Sequence, residues 1–399
     1  MLTTAATIAA LAASASALAE THNVAPGEGA QERLQEALIL AEPGDEIVLG
    51  AGRFTLTDGL SLDVDGVTVR GAGMDASVLD FTAQQDAGEG LLVTSDNVTL
   101  RDFGIDNPKG DGIKSKGADN IVYHKIRVTW TAGPRSSNGA YAIYPVESTG
   151  VLVDSVVVSG ASDAGIYVGQ SKDITVRNSI AQYNVAGIEI ENSRNAVVES
   201  NLAIHNTGGI LVFDLPGLPV MGGGDVVVRN NLVATNDVDN FAPPGNIVGG
   251  VRRGTGILVM ANDNVLIEGN VLSDNDTAQV MVVSYTQSYD DERYNPYPRG
   301  VVVGQNHYVR GGARPDLAGS DMLIAAFGGA LPAVMWDGLG DGATPALLVV
   351  EGTPGWSLNL PQLGASDADA QPGPLEVPLG DNSGAAKVTG APEALSQRI

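Results

Sequence analysis

Lys114, Tyr144, Tyr167 and Glu189 occupy one position in four successive repeats of this 399-residue chain, and Glu191 follows two residues after the last. A lysine, two tyrosines and a carboxylate on one line suit a sugar: rings stack on its apolar faces, and Glu189 or Glu191 acts as acid or base. Lys114 would pair with a uronate carboxylate. Asp163 and Asn184 stand just before the same strands, within reach of the same line. Arg252-Arg253 is a paired basic site in a chain of net charge −25, and is the candidate for holding a substrate carboxylate. The acidic runs Asp290-Asp291-Glu292 and Asp274-Asn275-Asp276 lack the full spacing of a calcium loop, and the four histidines are scattered, so no metal and no cofactor is expected.

What must position these residues is a repeat. Short apolar strands begin at Val98, Ile121, Val151, Ile174, Ala196, Val226, Val265 and Val301, which are 23, 30, 23, 22, 30, 39 and 36 residues apart. A base period of 22–23 with strand-length apolar pieces describes coils that stack, since no coil can bury its own apolar face. Within each coil a third strand aligns without gaps: Ile113, Ile143, Ile166, Ile188, Ile210, Ile257 and Val280 share a position. With a side-chain period of two, these point inward. The positions after them, Lys114, Tyr144, Tyr167, Glu189, Leu211, Leu258 and Met281, point outward in a column about 4.8 Å apart. The longer repeats place extra residues at the ends of this strand (130–139, 216–224, 237–254 and 284–299), where they would wall the column into a groove. Eight asparagines at recurring corners (184, 206, 236, 275 and 201, 231, 270, 306) read as structural, with left-handed backbone and amides hydrogen-bonded between coils.

The expected class is therefore all-β: a right-handed parallel β-helix with an N-terminal cap helix and an irregular C-terminal cap and tail. Residues 1–19, uncharged and ending Ala17-Leu18-Ala19, read as a signal peptide; 20–44 as the cap helix region; 45–310 as the β-helix; 311–399 as cap and flexible tail, with 365–399 disordered. No stretch reads as a membrane span. Zero cysteines exclude disulfides and thiolate metal sites, and the net charge of −25 argues against nucleic acid as a partner.

The strings GDGIKSKGADN (110–120), GAYAIYPVE (139–147), ASDAGIYVGQS (161–171), YNVAGIEIENS (183–193), TGGILVFDLPGLP (207–219), NFAPPGNIV (240–248) and GTGILVMANDNV (254–265) closely resemble a bacterial family of exported right-handed parallel β-helix repeat proteins. The resemblance spans roughly 30–310 and includes loop residues. It implies a periplasmic or secreted protein, and a partner similar to exported dihaem c-type cytochromes. It carries no catalytic roles. The fold is also similar to that of pectate lyases and alginate epimerases, but none of their catalytic motifs maps onto this chain. Two functions are thus expected of the third-strand face: binding or modifying a polysaccharide, as a lyase, epimerase or glycosidase would, or non-catalytic docking of the cytochrome-like partner.

Overall fold

The computed structural model describes residues 19–86, 88–380 and 388–399. The expected signal peptide, apart from Ala19, lies outside the described residues.

Burial of the inward pairs sets the register. Ile113, Ile143, Ile166, Ile188, Ile210, Ile257 and Val280 are successive parallel partners, each stacked on the next inside one continuous aliphatic core. Third strands form a 12-stranded sheet; first and second strands together form a 20-stranded sheet, because two bent strands, Thr99–Asp106 and Ile121–Thr129, run through both faces. The result is a parallel β-helix of three-strand coils, whose third-strand sheet carries the candidate column. Helix Ala30–Leu40 turns Leu34 and Leu38 onto the first coil and covers the open end of that core.

The eight asparagines form two ladders. Asn201, Asn231, Asn270 and Asn306 pass side-chain hydrogen bonds of 3.0 Å from coil to coil, and Asn184, Asn206, Asn236 and Asn275 do the same at 2.9–3.1 Å. Their backbones are not left-handed, against expectation. That conformation falls on the residue before each: Tyr183, His205, Thr235 and Asp274 in one ladder, Ser200, Asn230 and Gly269 in the other. The preceding residue makes the corner, which frees the asparagine amide to turn inward and satisfy buried backbone groups.

At the far end the coils run past the expected limit at residue 310. Met281 pairs with Met335 and Met335 with Trp356, adding two rungs to the third-strand sheet before an antiparallel pair ends it at Gly373–Pro374. Residues 309–333, between the strands ending at Tyr308 and beginning at Val334, form a loop and the helix Ser320–Ala326, and this insertion hides the period. The last stretch, expected as part of the flexible tail, also departs from expectation at 388–399. It lies across the first-strand face: the Thr389 amide donates to Asn195 Oδ1 at 2.8 Å, Leu395 packs on Val122 and Leu152, and the Arg398 guanidinium donates to the carbonyls of Asn120 and Asn97 at 2.6 Å. Outward aliphatics on that face supply the apolar surface that the segment covers.

Candidate active site

The outward column exists in the expected register: Lys114 pairs with Tyr144, Tyr167 with Glu189, Glu189 with Leu211, Leu211 with Leu258 and Leu258 with Met281. It is not a solvated face. Leu211, Leu258, Met281, Met335 and Trp356 form a second apolar cluster outside the coil, and loops fold over it. Glu189 is 1 % exposed, Tyr167 4 %, Asp163 6 % and Glu191 8 %. The lower end reaches solvent through half-buried Tyr141, Tyr144 and Lys114.

Three tyrosines make the centre. The rings of Tyr141 and Tyr144 are 4.5 Å apart, Tyr141 and Tyr167 4.5 Å, and Tyr144 and Tyr167 5.0 Å with their planes nearly perpendicular. Tyr141 is an addition to the expected set. Strict alternation from Ile143 would turn it inward, but the chain bends at Ala142, so that Ala142 and Ile143 both face the core and Tyr141 faces out. Gly169 makes room for the Tyr167 ring, since a methyl group there would collide with it. Tyr167 leans across this gap, and its hydroxyl donates to Glu191 Oε1 at 2.6 Å.

Around the rings stand three carboxyl groups. Burial foremost, then the charges of Asp163 and Glu191 and a hydrogen bond to Glu191, holds Glu189 far above the ordinary carboxylate range. The second Glu189 oxygen, Oε2, is buried with no hydrogen-bond partner. Burial also raises Glu191, against the hydrogen bond from Tyr167. Asp163 is pushed up to about 7 by burial and by the Glu191 charge, against hydrogen bonds from Asn246 and Tyr141. Asn246 comes from loop 237–254, and its amide donates to Asp163 Oδ2 at 2.9 Å, so the loop is latched over the carboxyls. Nearer solvent, burial pushes Asp111 up to about 6. The chemical content is an acid–carboxylate pair, Glu189 and Glu191, with Tyr167 on the outer oxygen of Glu191 and Asp163 setting the local charge.

The other expected residues are placed as follows. Lys114 lies 3.1 Å from Glu89 and 3.9 Å from Asp111, with its ammonium 4.9 Å from the Tyr144 ring centre. It is therefore already engaged by two carboxylates. Asn184 is not in the groove: it is fully buried in its ladder, bonded to the amide of Ala161 and to Asn206. Arg253 points away to Asp239 at 3.0 Å. Arg252 lines a cavity of about 600 Å³ over the apolar half of the column, on the other side of the latched loop. The acidic runs are taken up by arginines, Asp274 with Arg310, Asp276 with Arg314 and Asp291 with Arg293. Among the described residues no group of three or more His, Cys, Asp or Glu is arranged to hold a metal ion, and no helix is long and apolar enough to cross a membrane.

Residues 59–214 and 135–290 match the family described as right-handed beta helix region. The chain belongs to the right-handed β-helix family. Its sequence matches no curated protein. Among solved structures, this β-helix is similar to the A-module of the mannuronan C-5 epimerase AlgE4 from Azotobacter vinelandii, at 15% identity, 92% of this chain, 100% of that chain and a TM-score of 0.53. It is similar to the AlgE6 A-module of the same organism, at 18% identity, 82% of this chain, 92% of that chain and a TM-score of 0.51. A third is the DFA-IIIase of Arthrobacter chlorophenolicus A6 without its lid, at 14% identity, 82% of this chain, 98% of that chain and a TM-score of 0.51. At these identities the likeness is one of fold.

A stability consequence follows from the raised carboxyls. A carboxyl whose folded value lies above its unfolded one favours the fold at low pH, and that contribution is lost as pH rises toward the folded value. For Asp163 the window runs from about 4 to about 7, and Asp111 acts in the same direction up to about 6. The melting temperature should therefore fall by about 5 °C or more between pH 4.5 and 7.5, and Asp163→Asn should flatten the decline. Calorimetric scans across that range check this; a melting temperature that rises toward pH 7.5 would show that these carboxyls are not held as described.

Proposed function

We propose that the protein binds a carbohydrate at the solvent end of this column and modifies it by proton transfer through Glu189 and Glu191. One observation carries the reading: two buried carboxyls, Glu189 and Glu191, both held above the ordinary carboxylate range, set directly beyond a platform of tyrosines. Burying a carboxyl unpaired is costly, and such an arrangement is retained where an acid is needed near neutral pH. The similar structures supply the class, since two are named mannuronan C-5 epimerases and the third a DFA-IIIase.

The charge of the site favours a neutral sugar over the uronate suggested by sequence. Asp111, Glu89, Asp163, Glu189 and Glu191 lie along the column, and the cation at its solvent end, Lys114, is already held by Glu89 and Asp111. A uronate would meet net negative potential. In this reading Tyr141 and Tyr144 receive the ring, Lys114 orients its hydroxyls, and loop 237–254 moves when Asn246 leaves Asp163. Asp163 thus acts as latch and charge-setter. Arg252, Arg253 and Asn184 have no part. The place of action is taken to be outside the cytoplasm, on the reading of residues 1–19.

The test is a screen of neutral and uronate oligosaccharides by calorimetry. A neutral glycan should bind, and Tyr144→Ala, which removes a half-exposed ring and leaves the core intact, should weaken it about tenfold. If only uronates bind, the charge argument is wrong. If Tyr144→Ala binds as tightly as the wild type, the tyrosines are packing alone.

A further inference from the structure

At the N-terminal end of the coils, Asp45 is 4 % exposed and takes donors on both oxygens. The backbone nitrogen of Glu20 donates to Oδ1 at 2.7 Å, and the amide of Glu42 donates to Oδ2 at 2.9 Å. His22 Nε2 lies 2.9 Å from the same Oδ2. These hydrogen bonds, from Glu42 first, then Glu20 and His22, hold the carboxyl down to about 2, so it is ionised at ordinary pH. A carboxylate so hidden calls for a cation, and its ion-pair partner is His22, which is charged only when protonated.

The backbone of Glu20 is fixed on its other side too. Its carbonyl accepts from the Glu46 amide at 2.9 Å, and the next residue opens the parallel pairing of strand Thr21–Val24 with Glu46–Leu49. Ala19 and Glu20 are both exposed. The bond between them is therefore open to a protease, while the nitrogen that cleavage would free is already aimed at a carboxylate. The sequence supplies the signal for such a cut: Ala17-Leu18-Ala19 ends with small residues one and three positions before that bond.

We propose that the Ala19–Glu20 bond is a processing site, and that Asp45 is the receptor for the α-ammonium group that hydrolysis leaves on Glu20. A signal-peptidase-type endopeptidase adds water across the peptide bond. The C–N bond breaks, and the hydroxyl joins the Ala19 carbonyl carbon to give a carboxylic acid. The nitrogen takes the remaining proton of water and the one the new acid gives up. One neutral N–H donor thus becomes an ammonium with three, beside Oδ1 of Asp45. The new cation balances Asp45 whatever the state of His22. Other charged groups around this strand are engaged elsewhere, Glu46 with Arg70, and Arg33 of the cap helix with the carbonyls of Glu28 and Ala25. The position of the cut matters: one residue earlier leaves the amine beyond Asp45, and one residue later removes the donor. The proposal rests on reading residues 1–19 as a removable leader and is independent of the carbohydrate site.

The full chain, expressed with its own leader in a secreting bacterium, gives the first measurement: the intact mass of the exported product. It should correspond to a chain beginning at Glu20. A product that keeps residues 1–19, or begins at another residue, would overturn the processing site. The receptor is read separately, by acetylating the product at pH 7 with an N-hydroxysuccinimide ester and following the N-terminal peptide by mass spectrometry. A free α-amine titrates at about 8 and reacts ahead of lysines. Held by Asp45, the Glu20 amine should stay protonated and react about tenfold or more slowly than the same amine in Asp45→Asn. One glycine inserted between Ala19 and Glu20 moves the amine off Asp45 without touching the carboxylate. That chain should react as fast as Asp45→Asn, with an unchanged circular dichroism spectrum. Equal rates in the wild type and both variants would overturn the receptor, even where the mass confirms the cut.

Discussion

Ile188→Asp should destabilise the protein by about 4 kcal/mol or more, while Glu189→Gln, one residue away and equally hidden from water, should leave it as stable at pH 8 or more so. Both side chains are essentially unexposed. The difference lies in what surrounds them. Ile188 sits between Ile166 and Ile210 in the interior stack, where an aspartate would find no donor and could not reach solvent. Glu189 sits on the outer side of the same strand, beside Glu191 and near Asp163. Its folded value is raised, so it favours the fold only at low pH and opposes it progressively as pH rises. Glutamine removes that opposition and can still donate to Glu191. Urea titrations at pH 8 decide the matter: comparable losses in both variants would mean that the inner and outer faces are not as assigned.

The inner face was legible because it obeys a local rule. Hydrophobic residues two apart after a glycine, repeated with one spacing, can be buried only by stacking, so the register of Ile166 on Ile188 on Ile210 follows from the pattern. The asparagine ladders were legible for the same reason. The condition of the outer face was not, because it depends on residues remote in sequence: Asn246 reaches Asp163 across 83 positions, and no local pattern records such a contact. Tyr141 was hidden by a bend at Ala142 that breaks the period of two. The last rungs, through Met335 and Trp356, were hidden by the insertion before them. Asn184 carried two readings, and the ladder decided between them: a fully buried amide bonded to both neighbours has nothing left for a ligand.

Once a substrate is found, Glu189→Gln should lower kcat by about a hundred- to ten-thousandfold with KM little changed, the range of a lost general acid. Glutamine keeps the shape and the hydrogen bond to Glu191 but has no proton to give. Glu191→Gln should be comparably damaging, since the proposed transfer runs through both carboxyls and their titrations are linked. Asp163→Asn gives the more telling result, because Asp163 touches the pair only through charge and the loop. Its negative charge is, after burial, the largest influence raising Glu189. Removing it should lower the value at which Glu189 loses its proton, so the alkaline limb of the rate profile should move to lower pH while the maximum rate changes little. Asparagine can still accept from Asn246, so the latch itself remains. A profile that does not move, or a Glu189→Gln variant within about threefold of wild-type turnover, would take the proton-transfer role away from this cluster, leaving the tyrosines as a binding platform alone.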